Sequence, residues 1–167
     1  MSDQAQKLRD LMHQRKSAPP LQTPPPSSGQ AKVIAITSGK GGVGKSNFTL
    51  NFGLALQRLG SKVVIWDADF GFSNLHVLMG TTPRNTLLPV MQGKEDIWSA
   101  ISQGPEGMEY ISSGSGIREM YQLDAHQLQL FLSQFLMLRS YAEYLLIDLG
   151  AGLNTHILRL LLAADEV

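Results

Sequence analysis

Cysteine is absent from the 167 residues. Disulfides, thiol nucleophiles and cysteine-held metal clusters are excluded with it, and the absence fits a reducing, cytoplasmic setting. Net charge is absent too: 14 lysines and arginines balance 14 acids, so no global basic field argues for nucleic acid. No stretch reaches the ~18 uninterrupted apolar residues of a membrane-spanning helix. The opening residues, MSDQAQKLRD, lack the apolar core of a secretory leader. Aromatics are few at 7%, whereas hydrophobic residues make up 43% and charged residues 17%. That is an ordinary globular balance for one domain, and not comfortably for two.

Three segments follow from the patterning. Residues 1–16 read as a short amphipathic helix, with Ala5, Leu8, Leu11 and Met12 on one face. Asp3 and Gln6 resemble a capping box. Lys7, Arg9, Arg15 and Lys16 outnumber Asp3 and Asp10, so the arm is mildly basic. Isolated helices below ~12–15 residues are marginal in water, and this one is expected to fray until it meets a partner. A leader with no specific role is the alternative that the residues leave open. Residues 17–30, SAPPLQTPPPSSGQ, form a proline-rich tether. At ~3.1 Å per residue it reaches roughly 40 Å.

From residue 31 strand and helix patterns alternate. Strands are expected at 33–36, 63–66, 110–111 and 144–147. A helix to about Leu59 places Phe48, Phe52, Ala55, Leu56 and Leu59 on one side and stops at Gly60. Short helices are expected over 73–80 and 86–98, the second broken by Pro89 and Gly93. Asp124 caps a longer helix with Leu128, Phe131, Leu132, Phe135 and Leu138 inward, and Asn154 caps another. Trp66, Trp98 and Phe135 read as packing residues. The fold class is α/β, a mostly parallel sheet with helices on both faces. Glu166-Val167 reads as the start of a further strand, so residues 31–167 are expected to form an incomplete domain, open on its C-terminal side.

The chemistry is concentrated in three loops. Gly39-Lys40-Gly41-Gly42-Val43-Gly44-Lys45-Ser46 satisfies G-x-x-x-x-G-K-[ST] between a strand and a helix. Its glycines let backbone N–H groups converge on phosphate oxygens. The helix start, with Asn47, adds partial positive charge. Lys45 suits the β- and γ-phosphates of a nucleotide, and Ser46 suits Mg²⁺. Lys40 is surplus to that motif and is equally a solvated surface charge. Asp67 and Asp69 follow the second strand in DADFGFSN, and Asp148 ends a strand in LIDLGAG. Carboxylates at those strand ends can hold Mg²⁺ or orient a water. Strand-end capping is the competing reading for Asp67. Gly150 and Gly152 would let the second loop respond to a γ-phosphate. His13, His76, His126 and His156 show no metal-ligand spacing.

KGGVGKS, DADFGFSN followed by LHVLMG, and LIDLGAG together resemble the deviant Walker A ATPases of the MinD/ParA family. The likeness covers residues 31–167. DQAQKLR at residues 3–9 is similar to the DQAxxLR signature of the FlhG (YlxH, FleN) regulators of flagellar number and placement. The resemblance implies an ATPase using ATP and Mg²⁺. Lys45 and Ser46 would hold phosphate and metal, and Asp67 and Asp148 would support the metal and its waters. Asp69 would orient the hydrolytic water, and Lys40 would reach the partner's phosphates in an ATP-dependent homodimer. It implies an SRP-type GTPase, FlhF, as partner of Asp3, Gln4, Ala5, Leu8 and Arg9. It also implies peripheral contact with the inner face of the cell membrane, through a C-terminal amphipathic helix not contained in these residues. Competing readings are a MinD/ParA-type positioning or partition ATPase, and an interaction module acting mainly through its arm.

Overall fold

A computed structural model describes residues 29–69, 73–114, 125–150 and 164–167. The expected arm, most of the tether, the caps at Asp124 and Asn154, and Gly152 lie outside them. Five strands form one sheet: β1 (Lys32–Ile36), β2 (Val63–Ala68), β3 (Ile101–Gln103), β4 (Glu109–Ser112) and β5 (Tyr144–Leu149). Their order is β1-β5-β2-β4-β3, parallel except for β3, which runs antiparallel to β4.

β2 (VVIWDA) and β5 (YLLIDL) are near-continuous apolar runs because helices cover both faces. Alternate side chains feed two cores. Val64, Trp66, Leu145 and Ile147 join one, with α3 (Leu88–Met91), α4 (Ile97–Ala100) and α5 (Ala125–Tyr141) laid over them. Ile65, Leu146 and Tyr110 join the other, with α1 (Lys45–Arg58) and α2 (Leu75–Leu78). The buried Trp66 indole N–H donates to Ser113 Oγ at 2.9 Å, which lets a large polar-tipped ring sit inside the sheet.

Several expectations are corrected. α1 turns Thr49, Leu50 and Gly53 inward, while Phe48 is 58% and Leu59 72% exposed. Gly53 explains the rotation. A Cβ there would sit 2.8 Å from Ile65 Cδ1 and 3.3 Å from Leu146 Cδ1, so the helix approaches the sheet through its glycine. On α5, Phe131, Phe135 and Leu138 face inward as expected, but Leu132 is exposed. Trp98 is 38% exposed, with its ring edge-on to Tyr141 at 4.9 Å. Pro89 sits in the first turn of α3, where a missing N–H costs nothing, and so opens that helix rather than breaking it. β3 was not expected; the turn at Gly104–Gly107 folds it back onto β4. At the other edge Glu166 forms a parallel bridge to Ile34, in line with a strand beginning there.

Candidate phosphate and metal site

β5 lies between β1 and β2, so three functional loops leave neighbouring strand ends. Ile36, Asp148 and Asp67 occupy a single register row across those strands. At a strand spacing of ~4.8 Å this sets two carboxylates side by side at the carboxyl edge of the sheet, where open α/β sheets take their ligands.

The glycine loop joins β1 to α1. Gly42 and Gly44 have φ of 76° and 94°, a region closed to most side chains. A Cβ added at Gly39, Gly42 or Gly44 would meet nothing within 4 Å, so the loop backbone is open to a ligand. No side chain caps the start of α1, and its first turn carries no acid. N–H groups at such a helix start suit a bound anion. Lys45 and Ser46 are half-buried; Lys40, Gly41, Val43 and Asn47 are exposed. Ser38 Oγ donates to Lys40 O at 2.8 Å and steadies the loop's outer limb.

The two buried aspartates have different surroundings. Asp67 is committed to its own loop: Oδ2 accepts from Ser73 Oγ at 2.6 Å and from the Leu75 N–H at 3.0 Å, and Oδ1 accepts from the Asp69 N–H at 3.3 Å. Ser73 also meets Ser112 Oγ at 3.0 Å, which ties this loop to the end of β4. This is the turn chemistry that competed with a metal role in the sequence reading. Burial pushes the Asp67 carboxyl up, against those three donors. Ser73 was the missed residue, although it stands inside the DADFGFSN motif.

Asp148 is 1% exposed, and its Oδ1 has no hydrogen-bond partner. Burial raises its pKa to about 6; the Ser46 hydroxyl and Lys45 oppose the shift, and Asp67 and Asp69 add to it. Such a site is short of positive charge. Asp69 rests on the end of β5, where a Cβ on Gly150 would stand 3.2 Å from Asp69 Oδ1. This close approach adds a packing reason for Gly150 beside the loop freedom suggested by the sequence.

The orphaned Asp148 oxygen, with the Ser46 hydroxyl beside it, fits a hydrated divalent cation. Among the described residues no group of three or more His, Asp or Glu could hold a metal unaided. That pattern fits Mg²⁺, which keeps waters and phosphate oxygens alongside one or two protein ligands.

Comparison with known proteins gives the family. A family model for ParA, described as NUBPL iron-transfer P-loop NTPase, matches residues 29–162. The chain belongs to the ParA family of P-loop NTPases. This ParA-family chain is 37% identical to the antiactivator FleN of Pseudomonas aeruginosa over 136 residues, covering 81% of the chain and 49% of FleN. It is 34% identical over 168 residues to the flagellum site-determining protein YlxH of Helicobacter pylori, covering 100% of the chain and 55% of YlxH. It thus spans about half the length of these curated relatives. Among solved structures, the septum site-determining protein MinD of Pyrococcus horikoshii, complexed with Mg-ADP, is similar with a TM-score of 0.66. That match has 29% identity and covers 81% of this chain and 55% of MinD.

Proposed function

We propose that this ParA-family chain binds Mg²⁺-ATP and hydrolyses it as a switch in the control of flagellar number and placement. The observation that carries the reading is the pairing of the Ser46 hydroxyl with a buried Asp148 whose second oxygen is unpartnered, beside an open glycine loop. Likeness to FleN and YlxH supports the flagellar context.

The roles divide among the chain's own residues. Backbone N–H groups of Gly39–Ser46 and the start of α1 receive the phosphates, with Asn47 at the entry to the helix. Lys45 neutralises charge at the β- and γ-oxygens. Ser46 and Asp148 hold Mg²⁺, with Asp67 behind them fixing the loop that carries Asp69. Held there, Mg²⁺ would supply charge neutralisation for the phosphates. Asp69, held against Gly150, orients a water for attack. Lys40, exposed on the loop, reaches the nucleotide of a second copy in an ATP-dependent homodimer. Through Asp3, Gln4, Ala5, Leu8 and Arg9 the arm binds the SRP-type GTPase FlhF and stimulates it. Gln4 is suited to orienting the attacking water of the partner's site. The working place is the cytoplasm, with peripheral attachment to the inner face of the cell membrane.

Nucleotide titration and turnover test the core reading. Lys45→Ala should abolish ATP binding, and Asp69→Ala should bind ATP and hydrolyse it slowly. Tight Mg²⁺-ATP binding by Lys45→Ala would overturn the site assignment. A peptide of residues 1–16 should stimulate FlhF, with stimulation but not binding lost in Gln4→Ala. A peptide that does neither removes the partner from the proposal.

A further inference from the structure

At the pole of the sheet opposite the glycine loop, the outer side of α5 carries apolar surface that no described element covers. Leu136 is 56% and Met137 43% exposed. With Trp98, Ser140 and Tyr141 they line an open groove of about 450 Å³. The Tyr141 ring forms its inner wall, held by Trp98 edge-on at 4.9 Å, by Lys62 Nζ 3.3 Å from the ring centroid, and by its hydroxyl, which donates to Glu109 Oε1 at 2.8 Å. A wall fixed on three sides is a ready-made seat for an apolar side chain.

The path of the chain offers one occupant. The tether ends at Ala31, whose N–H donates to Arg139 O at 2.5 Å, on the last turn of α5. Arg139 is followed directly by Ser140 and Tyr141 of the groove. The C-terminal end of the tether is therefore anchored within about one helical turn, ~5 Å, of the groove, and a tether able to span roughly 40 Å leaves the arm free to reach it. The arm's stripe of Ala5, Leu8, Leu11 and Met12 matches the apolar lining of the groove.

We propose that residues 1–16 fold back as a helix into the Trp98–Leu136–Tyr141 groove, which stores the arm on its own domain until a competing partner withdraws it. A short tether gives an effective concentration of about 1 mM. An intrinsic affinity as weak as ~0.1 mM then keeps roughly nine arms in ten docked. A partner's apparent affinity for the arm is then about tenfold weaker than its affinity for the free peptide. The proposal rests on the arm's amphipathic pattern and on the groove, and stands whether or not the partner is a GTPase.

Trp98 reports the docking directly, because Trp66, the other of the two tryptophans, is 1% exposed. Acrylamide quenching of the intact chain is compared with that of a chain lacking residues 1–16. Removal of the arm should raise the Trp98 quenching constant about threefold, and Leu8→Glu with Leu11→Glu in the intact chain should do the same. Trp98→Phe in both backgrounds should erase the difference. Peptide 1–16 added to the shortened chain should restore protection. Quenching that is the same with and without the arm overturns the proposal. Protection that grows with protein concentration also overturns it and assigns the groove to a second copy.

Discussion

Replacing Asp148 by Asn should stabilise the ligand-free protein while ruining its site. The buried carboxyl titrates near about 6 in the folded chain, against 3.8 when exposed. Between those values the folded state holds a proton that the unfolded state has released, so stability falls as pH rises from about 4 and levels off above about 6. At 1.36 kcal/mol per pH unit the full shift is worth at most about 3 kcal/mol. Relaxation of the loop that carries Asp69 reduces this, and a gain of about 1–3 kcal/mol for Asp148→Asn at pH 7.5 is expected. The amide keeps an acceptor for the Ser46 hydroxyl and removes the negative charge that Asp67 and Asp69 disfavour. Urea unfolding of both proteins at pH 4, 6 and 7.5 is the assay. Their stabilities should coincide at pH 4 and separate progressively above it. Mg²⁺-ATP should raise the midpoint of the wild type and leave that of the variant almost unmoved. A variant no more stable than the wild type at pH 7.5, or a difference as large at pH 4, would refute the electrostatic account.

Lys40→Ala should leave nucleotide affinity of the monomer within about twofold and abolish the ATP-dependent dimer, read by light scattering with a non-hydrolysable analogue. Ser73→Ala removes one donor to Asp67 and its link to Ser112; a loss of about 1–2 kcal/mol is expected from urea midpoints, with slower ATP turnover because Asp69 is less well held. Gly53→Leu drives a side chain into Ile65 and Leu146 and should cost about 2–3 kcal/mol, seen as a fall in Tm without change in the bound-state chemistry.

The parts legible in the sequence were those where chemistry restricts residue choice. G-K-G-G-V-G-K-S can hardly be anything but a phosphate loop, and the buried strands VVIWDA and YLLIDL carry their aspartates at the correct ends. The inward face of α1 was only partly read: Phe52 and Leu56 do pack against the core, but Phe48 and Leu59, which continue the same helical stripe, are exposed. What selects the true face is the absence of a side chain at Gly53, which a search for apolar residues passes over. β3 escaped because three residues, ISQ, carry no period, although Gly-Pro-Glu-Gly behind them was a turn signal. The commitment of Asp67 to Ser73 and Leu75 depends on how a loop folds back, which spacing alone does not encode.

The anchoring of Ala31 beside Arg139 has a mechanical consequence. Any partner that tugs on the tether pulls β1 along its own axis, from the end opposite the glycine loop. β1 is registered with β5 from Lys32–Tyr144 to Ile36–Asp148, so the ladder is loaded in shear, and its bonds resist together instead of opening one by one. Tension on the arm is therefore grounded in the sheet, and the phosphate loop at the far end of the same strand keeps its shape while the leash is pulled.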